Sequence, residues 1–105
     1  MSMIKIEIIG NLAKDAGIES INGKNVVKFV VGVDEGKGEN KTTRWIMCLC
    51  GNEKMQPYLV KGKQVFVEGT HRCSAKQGNE GKIYVNEYIN VTNLQLLGKT
   101  ETNNI

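Results

Sequence analysis

Apolar and polar residues alternate from Met3 to Ile9, with Ile4, Ile6 and Ile8 facing one way and Lys5 and Glu7 the other. A period of two describes a strand with one buried face, and Gly10-Asn11 ends it. Ile18 to Ile21 reads as a short extended segment before Asn22-Gly23-Lys24-Asn25. Asn-Gly favours a hairpin turn because both residues tolerate positive φ. Val26 to Val33 forms a second strand, with Val27, Phe29, Val31 and Val33 on one face. Asp34 to Lys41 then holds two glycines, an asparagine and five charges, with no apolar residue. That composition marks a flexible hairpin loop.

The third strand, Thr42 to Cys50, is apolar on both faces: Trp45, Met47 and Leu49 on one, Ile46, Cys48 and Cys50 on the other. Such a strand is central, packing the core on one side and meeting a further surface on the other. Asn52 is the expected N-cap of one short helix over Glu53 to Val60, with Pro57 near its start and Lys61-Gly62 as the stop. A fourth strand runs from Gln64 to about Cys73, and a second polar loop from Ser74 to Lys82. The fifth strand covers Ile83 to about Leu97, and its parity breaks near Glu87, where a bulge is expected. Five strands with one helix between the third and fourth predict an all-β chain folded as a five-stranded OB barrel. An SH3-like barrel is the nearest competitor, but it normally has no helix in that slot. The expected organisation is one domain over residues 1–98 and a short polar tail over 99–105.

A chain of 105 residues, 40% of them hydrophobic, suffices for one core and not for two. Its apolar runs, such as Phe29 to Val31 and Ile46 to Cys50, are too short to span a bilayer. The start, Met1-Ser-Met-Ile-Lys5, lacks the pattern of a signal peptide, so a cytoplasmic location and no membrane partner are expected. The net charge of +3, from 14 basic and 11 acidic residues, is compatible with a polyanionic partner without requiring one. Position is more informative: Lys37, Lys41, Arg44, Lys76 and Lys82 fall in segments that read as exposed loops. Three cysteines, an odd number, point to reduced thiols.

Several segments resemble the bacterial single-stranded DNA-binding proteins. Ile6-Glu-Ile-Ile-Gly-Asn-Leu12 with Asp15 is similar to their opening strand, and Val27-Lys-Phe-Val-Val31 to their second. Thr43-Arg-Trp45 resembles the segment that sets an aromatic on the DNA face of the third. Tyr58-Leu-Val-Lys-Gly-Lys-Gln-Val-Phe-Val-Glu-Gly69 is the most specific match, and Tyr84-Val-Asn-Glu87 and Leu94-Gln-Leu-Leu-Gly98 extend it. The similarity keeps its order over about residues 3–98. It implies the OB fold, single-stranded DNA binding and a homo-oligomer, with a tetramer favoured and a dimer possible. Members usually carry an acidic tip after a disordered stretch, for which Lys99 to Ile105 offers no counterpart. Aromatics that several members place near Asp34 to Lys37, at Gly51 and near Lys76 are also missing. A plasmid, phage, conjugative-element or accessory role is expected of such a short variant.

Sequence-tolerant binding of single strands needs π-faces for bases and positive charge for phosphates. Trp45, the only tryptophan, is the stacking candidate, because Ile46, Cys48 and Cys50 claim the core side of its strand. Tyr84 matches a family position near DNA. Tyr88 is a weaker candidate, Tyr58 is expected to pack the helix on the sheet, and Phe29 is core. Lys37, Lys41 and Arg44 flank the first loop, and Arg72, Lys76 and Lys82 the second. Glu39 and Glu80 dilute both groups, and His71 is placed neither at DNA nor in the sheet interior by its sequence context.

Cys48-Leu-Cys50 and His71-Arg-Cys73 raise a zinc reading, but paired strand cysteines at this spacing are more often core, and no metal or cofactor is expected. One histidine, no Gly-x-Ser-x-Gly and no phosphate-cradling loop argue against an enzyme and against a small-molecule substrate. Two alternatives share the fold: a single-stranded RNA binder, and a protein-interaction subunit of a replication or primosome-like assembly.

Overall fold

Strands β1 to β6 span Lys5–Leu12, Gly17–Ile21, Lys24–Glu35, Thr42–Cys50, Gln64–Gln77 and Ile83–Leu96. The computed structural model describes residues 3–98, apart from the side chains of Ser74, Lys76, Tyr84 and Val85. The sheet order is β1-β5-β6-β4-β3-β2, and β1 also pairs with β3. That second pairing closes five strands into the expected barrel. β2, anticipated only as an extended segment, is a full strand that pairs with β3 outside the ring. All pairings are antiparallel except β4 with β6.

Alternation along each strand sends one set of side chains inward. Val27, Phe29 and Val31 of β3 meet Ile46, Cys48 and Cys50 of β4, Val65 and Val67 of β5, and Ile89 of β6. Ile8 and Leu12 of β1 complete the wall, with Ala16 and Leu59 from the connecting segments. Each large apolar side chain so buried contributes roughly 1.5–3 kcal/mol. The ring closes over a short pairing, Asn11 with Gly32 and Leu12 with Val31. There the backbones come so close that a Cβ on Gly10 would run into the Gly32 carbonyl oxygen.

One helical element lies between β4 and β5, but it is a 3₁₀ turn over Glu53–Tyr58 rather than a longer helix reaching Val60. Asn52 caps it as expected, its side chain accepting from the Lys54 N–H at 3.1 Å. Pro57 removes an N–H donor near the end, and 3₁₀ geometry seldom persists beyond a few residues. The tighter winding also changes which side chain meets the barrel. Tyr58, expected to pack there, is 61% exposed, and Leu59 is fully buried in its place.

The bulge also lies elsewhere than expected. β5 and β6 pair without interruption from Gln77–Ile83 to Gly69–Val91, and the register shifts between Gly69 and Glu68. Thr92 is the extra residue, and its hydroxyl donates to the Glu68 carbonyl at 3.2 Å. The bulge keeps Ile89 and Val91 on one side of it, and Leu94 and Leu96 on the other, turned toward the core. No register shift falls near Glu87, and among the described residues this end of the hairpin lies past Ile89, the last of β6 to be buried in the core. Both polar loops are shorter than anticipated, because β3 continues to Glu35 and β5 to Gln77. Each is closed by a 3₁₀ turn, Gly38–Asn40 and Asn79–Gly81.

Gly10→Ala is expected to destabilise the barrel by about 1–3 kcal/mol through this backbone collision, seen as a lower urea midpoint. Gly17→Ala, with nothing within 4 Å of the added carbon, should change stability by no more than about 0.5 kcal/mol.

Candidate nucleic-acid interface

Thr43, Trp45, Met47 and Leu49 point away from the core on β4, and Trp45 is 62% exposed. Residues paired directly across strands project to the same side, so the registers build an outer face row by row. Gly32 lies opposite Trp45. The next row joins Val30, Met47, Tyr88 and Arg72, and the one after it Lys28, Leu49, Asn90 and Thr70. Val30, Met47, Leu49 and Tyr88 are half-buried, and Arg72 is exposed. One face of the barrel therefore offers an open indole, an apolar strip with a tyrosine, and a guanidinium.

Trp45 borders a shallow depression of about 240 Å³ shared with Asn11, Leu12, Ala13, Gly32, Asp34 and Thr43. Asp34 is ordered at its edge, accepting a hydrogen bond from the Thr43 hydroxyl at 2.9 Å and pairing with Lys41 at 3.4 Å. The Thr43 hydrogen bond first, and then Lys41, hold the Asp34 carboxyl below the usual carboxylate range.

The remaining sequence candidates are not all on this face. Strand alternation turns Arg44 to the side opposite Trp45, where its guanidinium lies 3.7 Å from Glu87. Glu87 also lies 3.7 Å from Nε2 of His71, so the lone histidine joins this charged cluster at the hairpin base. Lys37 and Lys82 flank the two 3₁₀ turns at the loop tips, both exposed. Lys41 is engaged by Asp34. Lys76 and Tyr84 are register partners on β5 and β6, but their side chains lie outside the described residues.

Tyr88, the weaker candidate in the sequence, lies on this face between Met47 and Arg72. Its place beside Met47 depends on the parallel β4–β6 pairing, and no local pattern announces that pairing.

Cys48 and Cys50 are buried and Cys73 is exposed. Burial, helped by neighbouring Cys50, pushes the Cys48 thiol up to about 12, so it stays protonated in the core. Among the described residues no three His, Cys, Asp or Glu side chains come together to hold a metal ion. No described helix is long and apolar enough to cross a membrane.

Comparison with known proteins gives a consistent result. The model of the single-strand binding protein family matches residues 3–97. Single-stranded DNA-binding protein 1 of Xylella fastidiosa is 31% identical, over 98% of this chain and 83% of the relative. The single-stranded DNA-binding protein of Chlamydia muridarum is 32% identical over 84% of this chain, which spans 59% of that relative's length. Among solved structures, the Plasmodium falciparum protein in complex with single-stranded DNA superposes with a TM-score of 0.77 at 22% identity. That match covers 93% of this chain and 97% of the other, and at this identity it shows the OB fold.

The Asp34 carboxyl should titrate below the ordinary aspartate value, and Thr43→Val should move its midpoint upward. Carboxyl-carbon NMR across an acid titration reads both, and an unmoved midpoint in Thr43→Val would remove the hydroxyl as the main cause.

Proposed function

The chain belongs to the single-strand binding protein family, and from that premise we propose that it binds single-stranded DNA without strong sequence preference, protecting it in replication, recombination or repair. The observation that carries this reading is Trp45, the chain's one tryptophan, open to solvent on the outside of a barrel whose core is filled without it. A base stacks on this indole, a contact worth roughly 1–3 kcal/mol and available to any base. The strand runs over β3, β4 and β6, with Tyr88 and the apolar row beneath it. Its phosphates meet Arg72 on the same face and Lys37, Lys41 and Lys82 at the loops, with Arg44 reached from the other face of the hairpin. Lys76 and Tyr84 belong to the same proposed set, on the strength of the family resemblance and their register.

The proposed activity is binding alone, in the cytoplasm, with no catalytic step, cofactor or small-molecule substrate. Self-association completes the proposal. From Lys5 to Gly10 the edge of β1 away from β5 has no partner strand among the described residues. Met3, Ile4 and Ile9 are exposed on the same strand and the residues leading into it. An open edge of this kind is a template for pairing, and a homo-oligomer, a tetramer in preference to a dimer, covers it and multiplies binding sites.

Titration with oligo-dT should quench Trp45 fluorescence to saturation, with weaker binding as salt rises and none to duplex. Binding detected on a filter without quenching would make Trp45 structural. An absence of binding would turn the reading to an assembly subunit. Arg72→Ala should lower the slope of log affinity against log salt by about 0.7, the contribution of one phosphate contact on a single strand. Glu87→Gln frees Arg44 and should tighten binding by about two- to fivefold at low salt.

A further inference from the structure

Gly32 faces Trp45 directly across the β3–β4 ladder. A Cβ built on Gly32 would lie 2.6 Å from Cζ3 of the indole, 3.1 Å from Cε3 and 3.2 Å from Cη2. Those three atoms are consecutive along the six-membered ring, so that ring sits in the notch a side chain would otherwise occupy. The three atoms nearest such a Cβ all belong to this ring. Gly32 is not among the residues with positive φ, and glycine in a strand interior weakens the strand and often marks a close approach. The backbone would accept alanine, and the obstruction is the ring.

Resting on the reading of Trp45 as the stacking residue, we infer that Gly32 is a positioning residue of the interface, seating the indole on β3 before any base arrives. A tryptophan exposed on a sheet surface ordinarily samples several rotamers, and immobilising it on binding costs affinity. Seated against Gly32, the ring is held at one rim by backbone while most of its surface faces solvent. The base then meets a platform already in place. Val30 and Met47, the next cross-strand pair, are half-buried and form an apolar floor onto which a freed ring could fall. Gly32 therefore fixes where on the face the indole stands.

The test is a double-mutant cycle with oligo-dT, read by filter binding so that variants without tryptophan remain visible. Gly32→Ala should weaken binding about tenfold, and the same change in a Trp45→Ala background should leave the residual affinity unaltered. Time-resolved anisotropy of the free wild-type protein supplies a readout that needs no variant. A seated indole shows little sub-nanosecond depolarisation, and Gly32→Ala should introduce it. An equal loss in both backgrounds would mean that Gly32 acts on the fold rather than through the ring. Unchanged affinity in Gly32→Ala, or a large sub-nanosecond component in the wild type, would likewise overturn the inference while oligo-dT binding by the wild type upheld the function. A wild type blind to oligo-dT would instead sink the nucleic-acid reading, and this inference with it.

Discussion

The structure depends on the close approach of β1 to β3. Without it, the six strands form an open sheet and the inward side chains of β3 and β1 have no facing wall. The pairing is only two residues long, Asn11 with Gly32 and Leu12 with Val31, and it exists because Gly10 has no side chain to strike the Gly32 carbonyl. Hydrogen bonds beside it keep the seam shut. The Ala13 N–H donates to the Val30 carbonyl at 2.9 Å, and Leu12 exchanges bonds with Lys63 and Gly62 at 3.0 and 2.9 Å. Asn11 donates its side-chain amide to the Gly62 carbonyl, and Asp15 accepts from the Lys61 N–H. At roughly 0.5–1.5 kcal/mol each, these bonds outweigh the entropy of ordering a short seam only together. They tie the segment after β1 to the turn before β5, which is also where Leu59 plugs the barrel.

Gly32 stands at the junction of two demands. Its carbonyl abuts β1 and its missing side chain leaves room for the indole on the outer surface. Barrel closure and the aromatic platform are thus set by neighbouring atoms of one strand. A strand alternates by geometry, so the order that fills the core with Val27, Phe29 and Val31 also decides what faces outward. The outer surface carries Lys28, Val30 and Gly32, and opposite them Leu49, Met47 and Trp45.

Much of this could be read along the chain, because alternation is local. The inward set of β3 and β4, the exposure of Trp45 and the Asn52 cap all follow from residues within a few positions of one another. What escaped the sequence depends on distant partners. Tyr88 enters the face through a parallel pairing with β4, and Arg44, which alternation turns to the other side, meets a carboxylate 43 positions away at Glu87. The bulge at Thr92 does leave a local mark, since the apolar alternation changes phase between Val91 and Leu94, whereas the break was expected near Glu87. The short turn at Glu53–Tyr58 misled for a different reason: an α-helical and a 3₁₀ winding share the same cap and stop signals, yet present different side chains to the core.

The ion pairs qualify what a net charge of +3 means for a polyanion. Lys5, Lys28, Lys41 and Arg44 each have a carboxylate within 4 Å, at Glu68, Glu19, Asp34 and Glu87. Lys37, Arg72 and Lys82 have no such partner among the described residues. All four pairs are at least partly exposed, and exposed pairs contribute little to stability, so a phosphate can displace a carboxylate at small cost. The salt response still differs between the two groups. A cation already neutralised by its own carboxylate gains a phosphate while freeing an acidic side chain, whereas an unpaired one takes part fully in releasing the condensed counterions of the strand. The salt slope therefore reports the unpaired cations near the track of the strand, and Arg72, in the same cross-strand row as Tyr88 and Met47, is the one the barrel itself holds there.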